Sequence, residues 1–262
     1  MLLVKDGFSL FGLDIKFYGV IIALGMLIAI LVVCKNCKTR DLKADDIFLL
    51  ALYVLPLAII GARLYYVLFA DHSFSSFWEV FDIRSGGMAI YGGVIGGAGG
   101  VLLYCLIHKK NFLKVADVAV VGLILGQAIG RIGCYFSSCC YGIEVTNPSH
   151  MWFPFATQIN GIWHYSTFFY ESFCDILLFV LLLVLLHKLK KPGSIMACYL
   201  MGYGLIRCVI ETFRGDSLYI GPIKVSQLLS GILVLAGIIL MVLIYTIRKR
   251  KNNEDKGGNI SH

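Results

Sequence analysis

Arg131 stands in the segment GQAIGRIGCYFSSCCYG (residues 126–142), with Gly130 before it, Gly133 two residues on, and Cys134, Cys139, Cys140 and Gly142 behind. The stretch around it is otherwise apolar enough to be a membrane span, where a charged side chain costs at least a few kcal/mol. Its guanidinium therefore needs an intramembrane acid such as Glu211, a wet cavity, or an anionic ligand. Phosphate is a natural ligand, because the planar guanidinium fork offers it parallel N–H donors. The same device recurs at Arg63 and Arg207. In Tyr203-Gly204-x-x-Arg207-x-x-x-Glu211-x-x-Arg214 the positions 204, 207, 211 and 214 fall three or four apart, so one helical face carries Arg, Glu and Arg. One acid between two arginines leaves positive charge over, which a bound anion completes.

The segment SGGMAIYGGVIGGAGG (residues 85–100) offers a second kind of chemistry. Gly92, Gly96 and Gly100, with Gly93 and Gly97, recur every four residues and predict close backbone contact between helices. Gly86 and Gly87 precede that periodicity, and a glycine turn with available N–H groups suits a phosphate. Tyr91 follows one turn in, either as a packed tyrosine with its hydroxyl satisfied or as a catalytic group. The three cysteines after Arg131 read as packing, an external disulfide or a nucleophile. Smaller signals are Tyr18-Gly19, Gly61-Ala62-Arg63-Leu64-Tyr65-Tyr66 and Tyr170-Glu171. Ser-His-Asp order, zinc-ligand spacing and a Walker loop are absent from the sequence, so hydrolase and nucleotide-driven readings gain nothing. Cys34-x-x-Cys37 has no histidine or second pair beside it and reads as reduced thiols.

These residues must be positioned by membrane helices. The chain has 262 residues, 58% hydrophobic and 15% charged, with a mean hydropathy of +0.81. That composition excludes a soluble domain built on one core. Seven stretches reach the roughly 20 apolar residues a span needs: 17–34, 46–69, 87–107, 115–136, 168–186, 194–213 and 225–247. Fifteen of the 23 lysines and arginines fall in the connections at 35–45, 109–114 and 188–191 and in the tail from 248, whereas five fall in the alternate set. The positive-inside rule then places the N-terminus outside and the C-terminus in the cytoplasm. Trp78, Trp152 and Trp163 fall in the outer connections, as interfacial anchors do. Topology and anionic lipid account for the net charge of +7, so nucleic acid is not implied. One membrane domain, residues 1–247, is expected, with 143–167 as an outer cap and 248–262 as a basic, disordered cytoplasmic tail.

Taken together, the segments resemble the bacterial prolipoprotein diacylglyceryl transferases. The likeness runs from Tyr18-Gly19 to Gln227 in the family's order. It rests on Tyr18-Gly19, Gly61-x-Arg63, Gly86-Gly87-Met88 with Gly92-Gly93, Gly130-Arg131-x-Gly133, Tyr170-Glu171, Tyr203-Gly204-x-x-Arg207-x-x-x-Glu211-x-x-Arg214 and Ser226-Gln227. The resemblance implies an all-α, seven-span enzyme of the bacterial cytoplasmic (inner) membrane. Such an enzyme moves the diacylglyceryl group of phosphatidylglycerol onto the lipobox cysteine thiol of a prolipoprotein signal peptide and releases glycerol phosphate. It needs no cofactor or metal. By resemblance, Arg131, Arg207 and Tyr91 are catalytic, with Tyr91 as base or hydrogen-bond partner. Tyr18, Arg63, Gly86, Gly87, Gly92, Gly133, Cys134, Gly142, Tyr170, Glu171, Glu211, Arg214 and Gln227 bind substrate or shape the site.

Three departures from the family pattern bear on the acceptor side. Tyr91 stands where the family has histidine, and a phenol is a poorer base near neutrality than an imidazole. Cys134 replaces an asparagine, and Tyr165-Ser166-Thr167-Phe168-Phe169-Tyr170-Glu171 replaces the usual His-Pro-Ser-Gln-x-Tyr-Glu. Two other readings stay open: a paralogue with the same lipid pocket and another acceptor, and a non-enzymatic lipid-binding or transport protein.

Overall fold

The computed structural model describes residues 7–10, 13–69, 80–81, 86–137, 139–215, 219–220 and 223–258. Its long elements are the helices α1 (Phe17–Asn36), α2 (Ala44–Phe69), α3 (Ile90–Ile107), α4 (Phe112–Phe136), α5 (Thr167–Lys188), α6 (Ser194–Ile210) and α7 (Val225–Gly258). Among the described residues, seven helical segments are long and apolar enough to cross a membrane, and they coincide with the seven expected spans. Three short antiparallel hairpins join or precede them: β1 (Gly7–Leu10) with β2 (Leu13–Lys16), β3 (Ala156–Ile159) with β4 (Ile162–Tyr165), and β5 (Tyr219–Ile220) with β6 (Ile223–Lys224). The chain forms two compact units, residues 33–116 and residues 1–32 with 117–262.

In the unit of residues 33–116, α2 packs along α3 on the glycine stripe. A methyl added at Gly61 would overlap the Gly92 carbonyl, and one at Gly96 would overlap the Leu57 carbonyl. These two positions need hydrogen at Cα because the helix backbones themselves touch, as the four-residue glycine repeat predicts. Near the start of α2, Asp46 accepts from the Tyr104 hydroxyl at 3.0 Å and pairs with Lys110 at 2.8 Å.

In the other unit, α5, α6 and the later part of α4 share a core of Val120, Val121, Ile124, Leu178, Leu182, Leu186, Ile195 and Tyr199. Leu178, Leu182 and Leu186 repeat every four residues, which lines one face of α5 with leucine. The α6 helix also packs along α7. A methyl at Gly204 would come within 2.9 Å of the Ser230 carbonyl oxygen, so that contact too depends on a glycine. Asp117, fully buried on α4, accepts from the backbone N–H groups of Gly193, Ile195 and Met196, each at 2.9 Å. The first N–H groups of a helix have no intrahelical acceptor, so this carboxylate caps α6 from a neighbouring helix.

Candidate active site

In this second unit, the end of α4, the start of α5 and the end of α6 meet, because consecutive antiparallel helices return to the same level. Arg131, Glu171 and Arg207 lie at those three ends. Glu171, only 2% exposed, bonds both arginines: its Oε1 lies 2.6 Å from Arg131 Nη2 and its Oε2 lies 3.0 Å from Arg207 Nη1. Arg207 continues the chain through Nη2 to Glu211 Oε2 at 3.0 Å, one turn along α6. Both arginine side chains are 16% exposed. Charge therefore alternates along Arg131–Glu171–Arg207–Glu211, and the four formal charges cancel.

This corrects the pairing read from the sequence in two respects. The carboxylate beside Arg131 is Glu171, not Glu211. The count of one acid against two arginines also missed Glu171, which comes from another helix. Glu171 is 40 residues from Arg131 and 36 from Arg207 in the chain, so helix periodicity could not link them. The one sequence signal was the Tyr170-Glu171 pair itself, an acid placed in an apolar span. One turn further along α5, Asp175 is fully buried, and among the described residues neither of its carboxylate oxygens has a hydrogen-bond partner.

The residues around this chain have varied duties. The Tyr18 ring lies against Gly133, where an added methyl would sit 3.0 Å from the ring edge. Tyr170 donates its hydroxyl to the Phe155 carbonyl and so fastens the segment before α5 to that helix. Gly142 donates its N–H to the Tyr165 carbonyl at 2.8 Å and makes a backbone bridge with Arg214. A side chain at Gly142 would collide with the Phe213 carbonyl oxygen, 2.7 Å from the added carbon. Lys224 donates to the carbonyls of Glu211 at 2.7 Å and Arg214 at 3.2 Å, holding the end of α6 where its acid is needed. Gln227 sits half-buried in the first turn of α7.

A cavity of about 580 Å³ opens beside these elements, lined by Cys139, Cys140, Tyr141, Gly142, Ile143, Glu144, His164 and Gly215. The segment 143–167 that forms part of its wall contains the β3–β4 hairpin and a short 3₁₀ turn at Pro148–His150. Hydrogen bonds from the Cys134 and Cys139 thiols, with the positive charges of Arg131 and Arg214, pull the Cys140 thiol below its ordinary range.

The remaining candidates belong to the unit of residues 33–116. Arg63 donates through Nη1 to the carbonyls of Gly86 at 2.7 Å and Gly87 at 2.9 Å, and through Nε to Val80 at 2.8 Å. Its guanidinium also lies 5.5 Å from the Tyr66 ring centre. Arg63 is therefore committed to the turn before α3, a role that its likeness to Arg131 and Arg207 did not reveal. Gly87, at φ +72°, has Tyr66 and Arg63 where a side chain would point, so that turn requires a glycine. Gly92 lies in the α2–α3 contact. Tyr91 opens α3 with its ring 6.2 Å from that of Tyr65, and about a third of its surface is exposed.

The family model described as prolipoprotein diacylglyceryl transferase matches residues 6–243. A Clostridium perfringens protein named phosphatidylglycerol–prolipoprotein diacylglyceryl transferase 1 is 40% identical over 250 residues, covering 93% of this chain and 95% of its own. A Finegoldia magna protein named phosphatidylglycerol–prolipoprotein diacylglyceryl transferase is 41% identical over 242 residues, covering 91% and 94%. A Clostridioides difficile protein of the same name is 38% identical over 250 residues, covering 95% and 98%.

Proposed function

Because the chain belongs to the prolipoprotein diacylglyceryl transferase family, we propose that it transfers the diacylglyceryl group of phosphatidylglycerol to the lipobox cysteine of a prolipoprotein. It is a multi-pass protein of the bacterial cytoplasmic membrane, and both substrates reach it there. In the reaction the cysteine thiol gives its proton to a base, and the sulfur attacks the glyceryl carbon that carries the phosphate ester. The new S–C bond forms as the C–O bond breaks, and the bonding pair leaves with glycerol phosphate. Every atom is then accounted for without a cofactor.

The observation that supports this reading best is the buried chain Arg131–Glu171–Arg207–Glu211. Leaving-group charge grows on the phosphate as the ester bond breaks, and fixed guanidinium donors stabilise that charge more than they stabilise the ground state. Glu171 pairs with Nη2 of Arg131, and a guanidinium carries five N–H donors, so further donors of Arg131 remain for a phosphate. The two carboxylates hold the arginine planes before lipid arrives, so little orientation is lost on binding. Tyr91 serves as base or hydrogen-bond partner in the transfer, and Tyr18, Gly133, Arg214 and Gln227 shape the lipid pocket. With the N-terminus outside, as the distribution of basic residues implies, this end of the helices faces the outer side of the membrane.

The test incubates purified protein with phosphatidylglycerol carrying a labelled headgroup, with and without a lipobox peptide. Release of labelled glycerol phosphate that depends on the peptide, together with a diacylglyceryl thioether on its cysteine, is the expected result. Lipid binding without modification of the peptide would favour another acceptor instead.

A further inference from the structure

Cys139 and Cys140 have no role in the proposed transfer and Cys134 at most a place in the wall of its site, yet the fold brings the three together. Their Sγ atoms all lie within 4.8 Å of one another. The convergence is built by the backbone. Cys134 sits in the last turn of α4, 6% exposed. The Cys139 N–H then bonds back to the Cys134 carbonyl at 3.2 Å, which returns Cys139 to the end of that helix. Cys140 adopts a left-handed conformation at φ 59°, uncommon for a side chain of its kind, and its carbonyl accepts from the Thr167 hydroxyl at 2.7 Å. Those constraints turn two adjacent cysteines back toward the third.

We propose that these three sulfurs form a binding site for one thiophilic d10 cation, of the zinc or copper(I) class. Zinc–sulfur bonds of about 2.3 Å in tetrahedral geometry put ligand sulfurs about 3.8 Å apart. The three sulfurs therefore need to close by about an ångström at most, within reach of rotamer adjustment. Soft thiolate donors select such cations over magnesium or calcium. On binding, each thiol releases its proton to water. Three thiolates around a divalent ion carry one net negative charge, and cationic groups stand close: Arg131 precedes Cys134 by less than one helical turn, and Arg214 bridges Gly142. Cys139 and Cys140 also line the 580 Å³ cavity, which gives the ion an entry path. A bound ion would pin the end of α4 to the following loop, three residues from the arginine that clamps phosphate.

Cadmium is the probe, used on the purified full-length chain in detergent after reduction and chelation. The expected result is an ultraviolet thiolate-to-cadmium charge-transfer band that saturates at about one equivalent per chain. Cys139→Ser/Cys140→Ser should lose that band, whereas Cys34→Ser/Cys37→Ser should keep it. Because the first variant can misfold, the wild-type chain is also alkylated with and without cadmium and mapped by mass spectrometry. Protection confined to Cys134, Cys139 and Cys140 supports the site. No band in wild type, a band unchanged in Cys139→Ser/Cys140→Ser, or alkylation of the three that cadmium does not slow would overturn it. So would a disulfide between any two of them in protein isolated without reductant.

Discussion

Glu171→Gln keeps the size of the side chain and removes the charge that Arg131 and Arg207 share. Its cost follows from the geometry. Glu171 is 2% exposed and makes two ion pairs, at 2.6 and 3.0 Å, so the substitution leaves two largely buried guanidiniums with Glu211 as the remaining acid of the chain. Polar contacts between membrane helices are each worth about 1–2 kcal/mol at most, because the unfolded chain in a membrane also finds partners. Two of them give at most about 2–4 kcal/mol, a ceiling that overlaps the lower part of the range for breaking a buried pair in water-soluble proteins. The assay is reversible unfolding in mixed micelles followed by circular dichroism, run as a double-mutant cycle with Arg131→Gln. If the two residues act through each other, the double variant is more stable than the sum of the singles by about 1–2 kcal/mol. Turnover per folded molecule should also fall in Glu171→Gln, since Arg131 loses the carboxylate that orients it. A Glu171→Gln chain within about 0.5 kcal/mol of wild type, or strict additivity with Arg131→Gln, would refute this account of the network.

Three further outcomes are expected. Arg131→Gln should lower the transfer rate by about 10²–10³-fold in protein that still inserts and folds, the loss typical of removing one preorganised donor, whereas Arg207→Lys keeps a point charge without the fork and retains partial activity; single-turnover rates on folded protein check both. If Tyr91 only orients substrate by hydrogen bonding, Tyr91→Phe should cost about 1–2 kcal/mol, roughly ten- to thirtyfold in rate, and Tyr91→His should give no rescue; if it is the base, Phe abolishes transfer and His restores it near neutrality, where imidazole titrates. Asp117→Ala removes the acceptor of three backbone N–H groups at the start of α6 and should destabilise the chain by at least the roughly 1–2 kcal/mol of a lost helix cap, read by the same unfolding assay.

The seven spans were legible because lipid leaves a plain mark on composition: about 20 apolar residues, with basic residues gathered in alternate connections. The glycine repeat at 92, 96 and 100 was legible for a similar reason, since backbone contact tolerates no side chain there. Arg131 and Arg207 stood out because a charge inside an apolar run has to be explained. What the residues bond to was harder to read. Glu171 joins arginines from two other helices, and only packing decides that it, rather than Glu211, meets Arg131. Arg63 shares the sequence character of the other two arginines, yet its donors are taken by the carbonyls of Gly86, Gly87 and Val80. Nothing in the sequence around Asp117 marks it as the cap of α6, because that contact spans more than seventy residues of chain. The meeting of three thiols depends on a left-handed residue at Cys140, which composition does not announce.

The proposed reaction is one chemical event, the exchange of a C–O bond in phosphatidylglycerol for an S–C bond on a cysteine. The most direct measurement is therefore the ratio of glycerol phosphate released to thioether formed, with purified protein, phosphatidylglycerol and a lipobox peptide. The two products should appear in equal amounts and vanish together when the peptide's cysteine is replaced by serine. Glycerol phosphate released at the same rate with the serine peptide, or a peptide left unmodified while lipid is consumed, would contradict it.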